Sequence, residues 1–149
     1  MQTWYECKVK YLKIDQGGFE RKGSDNYLID AVSFTDAEAR IFKQMNELTS
    51  GDFQVMNIKR SNITEVMVDD DREWMYKAKI SFVSIDEGCG KEKKINQYIL
   101  LSADSPEQAL VLLGEGLSCI LVSYTVLGVN LSNIAEVFPY IEVDIESIG

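Results

Sequence analysis

A chain of 149 residues with 46% hydrophobic and 26% charged residues is long enough to bury a core and shows the composition of a globular protein. Its formal charge of −9 is unevenly placed: all 15 Lys and Arg lie at or before Lys94, whereas residues 95–149 hold seven acids and no base, which disfavours nonspecific nucleic-acid binding by that second part. With no histidine at all, the chain lacks the commonest general base near neutral pH, the Ser-His and Cys-His nucleophile pairs, and the usual transition-metal ligand.

The first strand is legible at once. Tyr5, Cys7, Val9 and Tyr11 alternate with Glu6, Lys8 and Lys10, the period of a strand with one face on a core and one in water. Met1-Gln2-Thr3 runs directly into it, without the shape of a signal peptide. No later apolar run approaches the roughly 20 residues of a membrane span, so a cytoplasmic protein with no membrane partner is expected. Cys7, Cys89 and Cys119 form no Cys-x-x-Cys pair, which argues against a disulfide framework and a zinc site; no metal or cofactor is expected, and Cys7 and Cys119 sit in apolar stretches that predict burial.

The opening stretch returns 71 residues later. Tyr5 falls on Tyr76, Cys7 on Ala78, Lys8 on Lys79, Val9 on Ile80, Tyr11 on Phe82, Gly17 on Gly88 and Tyr27 on Tyr98. At an offset of 70, Thr35 meets Ser105 and Ala39 meets Ala109. At 71 again, Ser61-Asn62-Ile63 meets Ser132-Asn133-Ile134. Two copies, about 3–69 and 73–138, with an acidic segment 139–149, are therefore expected to share one domain. In both copies the apolar positions change parity after the midpoint of the first strand (Leu12 and Ile14, Val83 and Ile85), which predicts a bulge or a change of buried face there.

Asp15-Gln16-Gly17-Gly18 and Asp86-Glu87-Gly88-Cys89-Gly90 are turn chemistry that predicts hairpins, with returning strands through Tyr27-Leu28-Ile29 and Tyr98-Ile99-Leu100. Thr35 with Glu38 and Ser105 with Gln108 fit a capping box, and Pro106 suits a first helical position. The first helix gathers Ala39, Ile41, Phe42, Met45 and Leu48 on one stripe. The second, Ala109-Leu110-Val111-Leu112-Leu113, is apolar all round and is either buried in the protein or covered by a partner. Phe53–Ile58 and Ile120–Val126 read as third strands. If each neighbours the strand before its helix, the two run parallel with a right-handed crossover. The expected fold is α+β: tandem ββαβ repeats related by a pseudo-twofold axis, with one helix per repeat and a mixed or mainly antiparallel sheet. Ile141, Val143 and Ile145 alternate with Glu142, Asp144 and Glu146, as one more strand or a tail.

Several groups of residues are candidates for a site. Lys8, Lys10, Lys77 and Lys79, with Arg21, Lys22, Lys91, Lys93 and Lys94 at the hairpins, form a basic ribbon suited to phosphates. Its plain alternative is a solvated face whose lysines protect a strand edge. Tyr5, Tyr11, Tyr76 and Phe82 should point to the other face, away from any base-stacking role. Glu142, Asp144 and Glu146 could pair with the lysines across strands. Leu110, Val111 and Leu113 are the interface candidates of a possible homodimer. Asp69-Asp70-Asp71 lacks the alternating ligands of a calcium loop and reads as a solvated linker, and Cys89 reads as a hairpin tip.

Trp4-Tyr5-Glu6-Cys7-Lys8-Val9-Lys10-Tyr11, Asp30-Ala31-Val32-Ser33-Phe34-Thr35, Glu38-Ala39-Arg40 and Val137-Phe138-Pro139-Tyr140 together resemble an uncharacterised domain-of-unknown-function family of about this length from Bacteroidetes and their phages. The resemblance implies an intracellular protein with no assigned activity and transfers no site residue. The expected function is therefore a non-enzymatic binding or assembly protein. A nucleic-acid or replication accessory factor of a phage or mobile element is the alternative, and a small carboxylate-dependent enzyme the second alternative.

Overall fold

The computed structural model describes residues 3–14, 16–49, 51–85, 87–120 and 122–139, with the side chains of 13 and 14 left out of the description. The elements in chain order are β1 (Trp4–Ile14), β2 (Glu20–Asp30), α1 (Phe34–Leu48), β3 (Phe53–Arg60), β4 (Ile63–Met67), β5 (Trp74–Ile85), β6 (Glu92–Ala103), α2 (Pro106–Gly116), β7 (Tyr124–Leu131) and β8 (Ile134–Phe138). Among the described residues they make an α+β protein of two mixed four-stranded sheets, ordered β3-β1-β2-β8 and β4-β6-β5-β7. The acidic segment expected to alternate at Ile141, Val143 and Ile145, and its pairing with lysines, lie outside the described residues.

Each sheet grows from a hairpin. β1 pairs antiparallel with β2 and β5 with β6, and the turns are closed by Gly18 and Gly90 at φ 80° and 69°, a region that side chains other than glycine resist. The third strand does not join the strand that precedes its helix. β3 pairs antiparallel with β1, and β7 with β5, so each helix carries the chain across the width of its hairpin. One residue bulges out opposite Lys8/Val9 and one opposite Lys79/Ile80, both on the third strand, while the β1–β2 and β5–β6 registers run unbroken through the parity change that suggested a bulge. The third strand of the second half is Tyr124–Leu131, later than the apolar run from Ile120 suggests; the bulge puts Val126 and Val129 against the core and leaves Ile120 and Val122 outside.

The fourth strands are exchanged. β4 pairs parallel with β6 of the other half, and β8 pairs parallel with β2. Chain geometry requires this. The slot beside β2 lies about 14 Å from β3, three strand spacings away, and its occupant must run parallel to β3. Only Ser61 and Asn62 separate β3 from β4, a link that reaches about 11 Å and cannot return the chain to the start of the sheet. β8 fills the slot instead. Ser61 N–H donates to the Trp4 carbonyl, and Ser132 N–H to the Met75 carbonyl, both at 2.8 Å, which pins the two crossing points in the same way.

The chain accordingly divides into two compact units, one of residues 1–61 with 134–149 and one of residues 62–133. The divisions fall at the two Ser-Asn-Ile segments, and the acidic link Asp69-Asp70-Asp71 lies inside the second unit. There Asp69 N–H donates to Ser102 Oγ at 2.7 Å, and Ser102 Oγ donates back to the Asp69 carbonyl at 3.0 Å.

In the first unit Tyr5, Cys7, Val9, Tyr27, Ile29 and Phe138 pack against Ala37, Ile41 and Met45 of α1. In the second, Tyr76, Ala78, Ile80, Phe82, Ile99 and Leu101 pack against Ala109 and Leu113 of α2 and Leu117 just beyond it. The first helix is capped by Ser33, whose hydroxyl accepts from Asp36 N–H at 3.1 Å, while the Asp36 carboxylate accepts from Val32 N–H at 3.0 Å. Thr35 and Glu38 are not its capping box. The buried stripe is Ala37, Ile41 and Met45, spaced four apart on one face, while Ala39, Phe42 and Leu48, expected on it, are exposed. The Ser105 cap and Pro106 at the first position stand as expected, Ser105 Oγ accepting from Gln108 N–H at 3.1 Å.

Candidate functional site

The basic residues separate according to the hairpin registers. Lys10 lies opposite Ser24 and Leu12 opposite Lys22, so Lys8, Lys10 and Lys22 share the sheet face turned away from α1. Lys79 lies opposite Tyr98 and Val83 opposite Lys94, which puts Lys77, Lys79 and Lys94 on the face turned away from α2. Arg21 and Lys93 belong to the opposite faces, and Lys91 precedes β6 at the hairpin turn. Lys8 and Lys10 are exposed, whereas Lys77 and Lys79 are half-buried. β1 and β5 are interior strands, so their lysines do not protect edges.

Tyr5, Tyr76 and Phe82 are buried on the helix sides, away from the lysines as the alternation predicts. Tyr98 is the aromatic that sequence reasoning misplaced. The second hairpin turn is one residue longer, so the register puts Ile99 rather than Tyr98 in the place Tyr27 holds in the first unit. A one-residue step sends a side chain to the other face. The Tyr98 ring thus lies among the lysines, with Lys77 Nζ 4.9 Å and Lys79 Nζ 5.9 Å from its centre.

The second helix is not buried all round. Leu113 belongs to the core of its own unit, while Leu110 and Val111 are 49% and 61% exposed. In the same unit β7 forms an outer strand of the sheet. None of its eight residues is charged, and Tyr124, Leu127 and Leu131 are exposed along it. The outer strand β3 ends instead on Lys59 and Arg60. Cys119 is exposed, contrary to the burial expected from its apolar neighbours, because the chain beyond Leu117 leaves the helix and its core.

A further group has no counterpart in the sequence reading. On the helix side of the first unit, Tyr11 Oη donates to Asp25 Oδ2 at 2.6 Å. Tyr27 and Glu136 are paired across β2 and β8 beside them. Together with Met45, Leu48 and Thr49 these four side chains line a cavity of about 260 Å³. Burial, followed by the Asp25 charge, pushes the Tyr27 phenol up to about 12, and the hydrogen bond to Asp25 raises Tyr11.

The family described as Domain of unknown function (DUF4494) matches the chain over residues 3–140. No curated protein and no solved structure matches it.

Proposed function

We propose, for a chain that belongs to the domain-of-unknown-function family DUF4494, a non-enzymatic role as a binding protein that assembles with a second copy of itself through β7. The supporting observation is the charge-free outer strand with Tyr124, Leu127 and Leu131 exposed, in the unit whose helix also exposes Leu110 and Val111. An uncharged outer strand offers unpaired backbone donors and acceptors with nothing to repel a like strand. Two antiparallel copies of β7 would satisfy both edges in one isologous contact. Light scattering behind size exclusion tests it: a dimer is expected, reduced to monomer by Leu127→Lys. A monomer at high micromolar concentration, or a dimer indifferent to Leu127→Lys and to Val111→Glu alike, overturns it.

The strand orders also suit a duplicated ββαβ unit whose short final strand is exchanged with its neighbour; that the whole works as one domain of a cytoplasmic protein of bacterial or phage origin is part of the same proposal. A second reading rests on Tyr98 between Lys77 and Lys79, the pairing of aromatic ring and bases that single-stranded nucleic acid uses. It predicts binding to short single-stranded DNA that weakens with salt, by a log–log slope of about 0.7 per phosphate contacted. Binding unchanged by replacing Lys8, Lys10, Lys77 and Lys79 together would sink it.

A further inference from the structure

We infer that the cavity of the first unit lined by Tyr11, Asp25, Tyr27, Met45, Leu48 and Glu136 is a binding site for a small alkylammonium group. Its chemistry is one-sided. Among the described residues its lining holds Asp25, Glu136, Tyr11 and Tyr27 and no basic residue, and Met45 and Leu48 supply an apolar surface. An ammonium head can donate charge-assisted hydrogen bonds to the carboxylates of Asp25 and Glu136, with the Tyr11 and Tyr27 side chains alongside. The apolar side suits a short methylene stem. At about 260 Å³ the cavity is smaller than a pocket for a drug-sized ligand and fits a single side chain or a short amine.

The group is built, and folding does not demand it. Tyr11 lies directly opposite Gly23, where an added Cβ would stand 2.7 Å from the Tyr11 ring. The glycine lets the ring lie across the strand and bring its hydroxyl to Asp25. The second unit uses the same framework without any of this: Phe82 lies opposite Ile95, and Gln97, Ile99 and Leu117 take the positions of Asp25, Tyr27 and Met45. A sheet and helix of this kind therefore close over plain apolar packing. In the first unit Tyr27 is 6% exposed and its phenol stays beside carboxylates in a place where its counterpart Ile99 is 0% exposed.

The test is a titration of the whole protein followed by the ring resonances of Tyr11 and Tyr27. The probes are n-butylammonium chloride and N-acetyl-lysine methylamide, with n-butanol, sodium chloride and calcium chloride as controls. Saturable shifts with an amine but not with the controls are expected, weakened about tenfold to a hundredfold by Asp25→Asn, the worth of one charged hydrogen bond. Glu136→Gln, on an exposed side chain, should weaken them in the same direction and guards against a fold defect in the first variant. Tighter binding of the lysine derivative identifies a lysine side chain of a partner protein as the source, and tighter butylammonium a free amine. No saturable shift with either amine, equal shifts with butanol or a metal salt, or affinity untouched by both variants would overturn the assignment.

Discussion

The two units place different chemistry on one arrangement of strands and helix. Where the first has Cys7, Tyr11, Gly23, Asp25 and Tyr27, the second has Ala78, Phe82, Ile95, Gln97 and Ile99. Where the second exposes Leu110, Val111 and an uncharged β7, the first closes its outer strand on Lys59 and Arg60. The contrast shows which residues the framework needs. Both units bury a small residue and two larger apolar ones at four-residue steps along or just past the helix, Ala37-Ile41-Met45 and Ala109-Leu113-Leu117, and both caps are serines. Titratable groups inside one unit and exposed apolar groups on the other are additions to that frame.

The shared frame should show the largest effects. Ile41→Ala and Leu113→Ala each remove a fully buried side chain and should each cost about 2–5 kcal/mol in urea unfolding. Hydrogen exchange should assign the loss to the unit that carries the change; loss spread evenly over both would break the comparison.

Alkaline pH should separate the units next. Burial, followed by the Glu6 charge, pushes the Cys7 thiol up to about 12, and the Tyr11 and Tyr27 phenols are raised as well. In each case the folded state holds its proton more tightly than the unfolded chain. The stabilisation is therefore complete below the ordinary values, 9.0 for the thiol and 10.0 for the phenols, and is lost as pH rises through the raised values, about 12 for Cys7 and Tyr27. Amides of the first unit should lose exchange protection in that window before those of the second, and Cys7→Ala should narrow the gap.

A smaller effect is expected from Gly23→Ala. It should push the Tyr11 ring away from Asp25 and cost about 1–3 kcal/mol, with the Tyr11 phenol returning toward its ordinary range in a spectrophotometric titration. Ser33→Ala and Ser105→Ala should be the mildest, about 0.5–2 kcal/mol each and alike in thermal unfolding, since each hydroxyl satisfies one amide of its own helix.

Much of this frame is legible in the sequence, and the failures share a cause. Alternation in Tyr5-Cys7-Val9 and Tyr76-Ala78-Ile80 marks the buried faces, because residues two apart on a strand must share a side. The returning strands fail by one residue. Matching Tyr27 to Tyr98 looks convincing by residue type, yet the second turn is one residue longer, and pairing counts positions rather than names. That longer turn puts Tyr98 among the lysines, and matching Thr35 rather than Ser33 to Ser105 misplaces the first cap by two residues. The cavity was invisible for another reason: Glu136 stands far along the chain from Asp25 and reaches it only because β8 crosses into the first unit.

By itself the sequence determined the local elements, the turn glycines and the absence of histidine, all of which depend on spacing and composition within a few residues. Tertiary structure decided which strand fills each outer slot, which face of each helix is covered, and which acids and phenols meet. Those outcomes depend on the reach of a two-residue link and on the register of strands distant in sequence, neither of which local periodicity encodes.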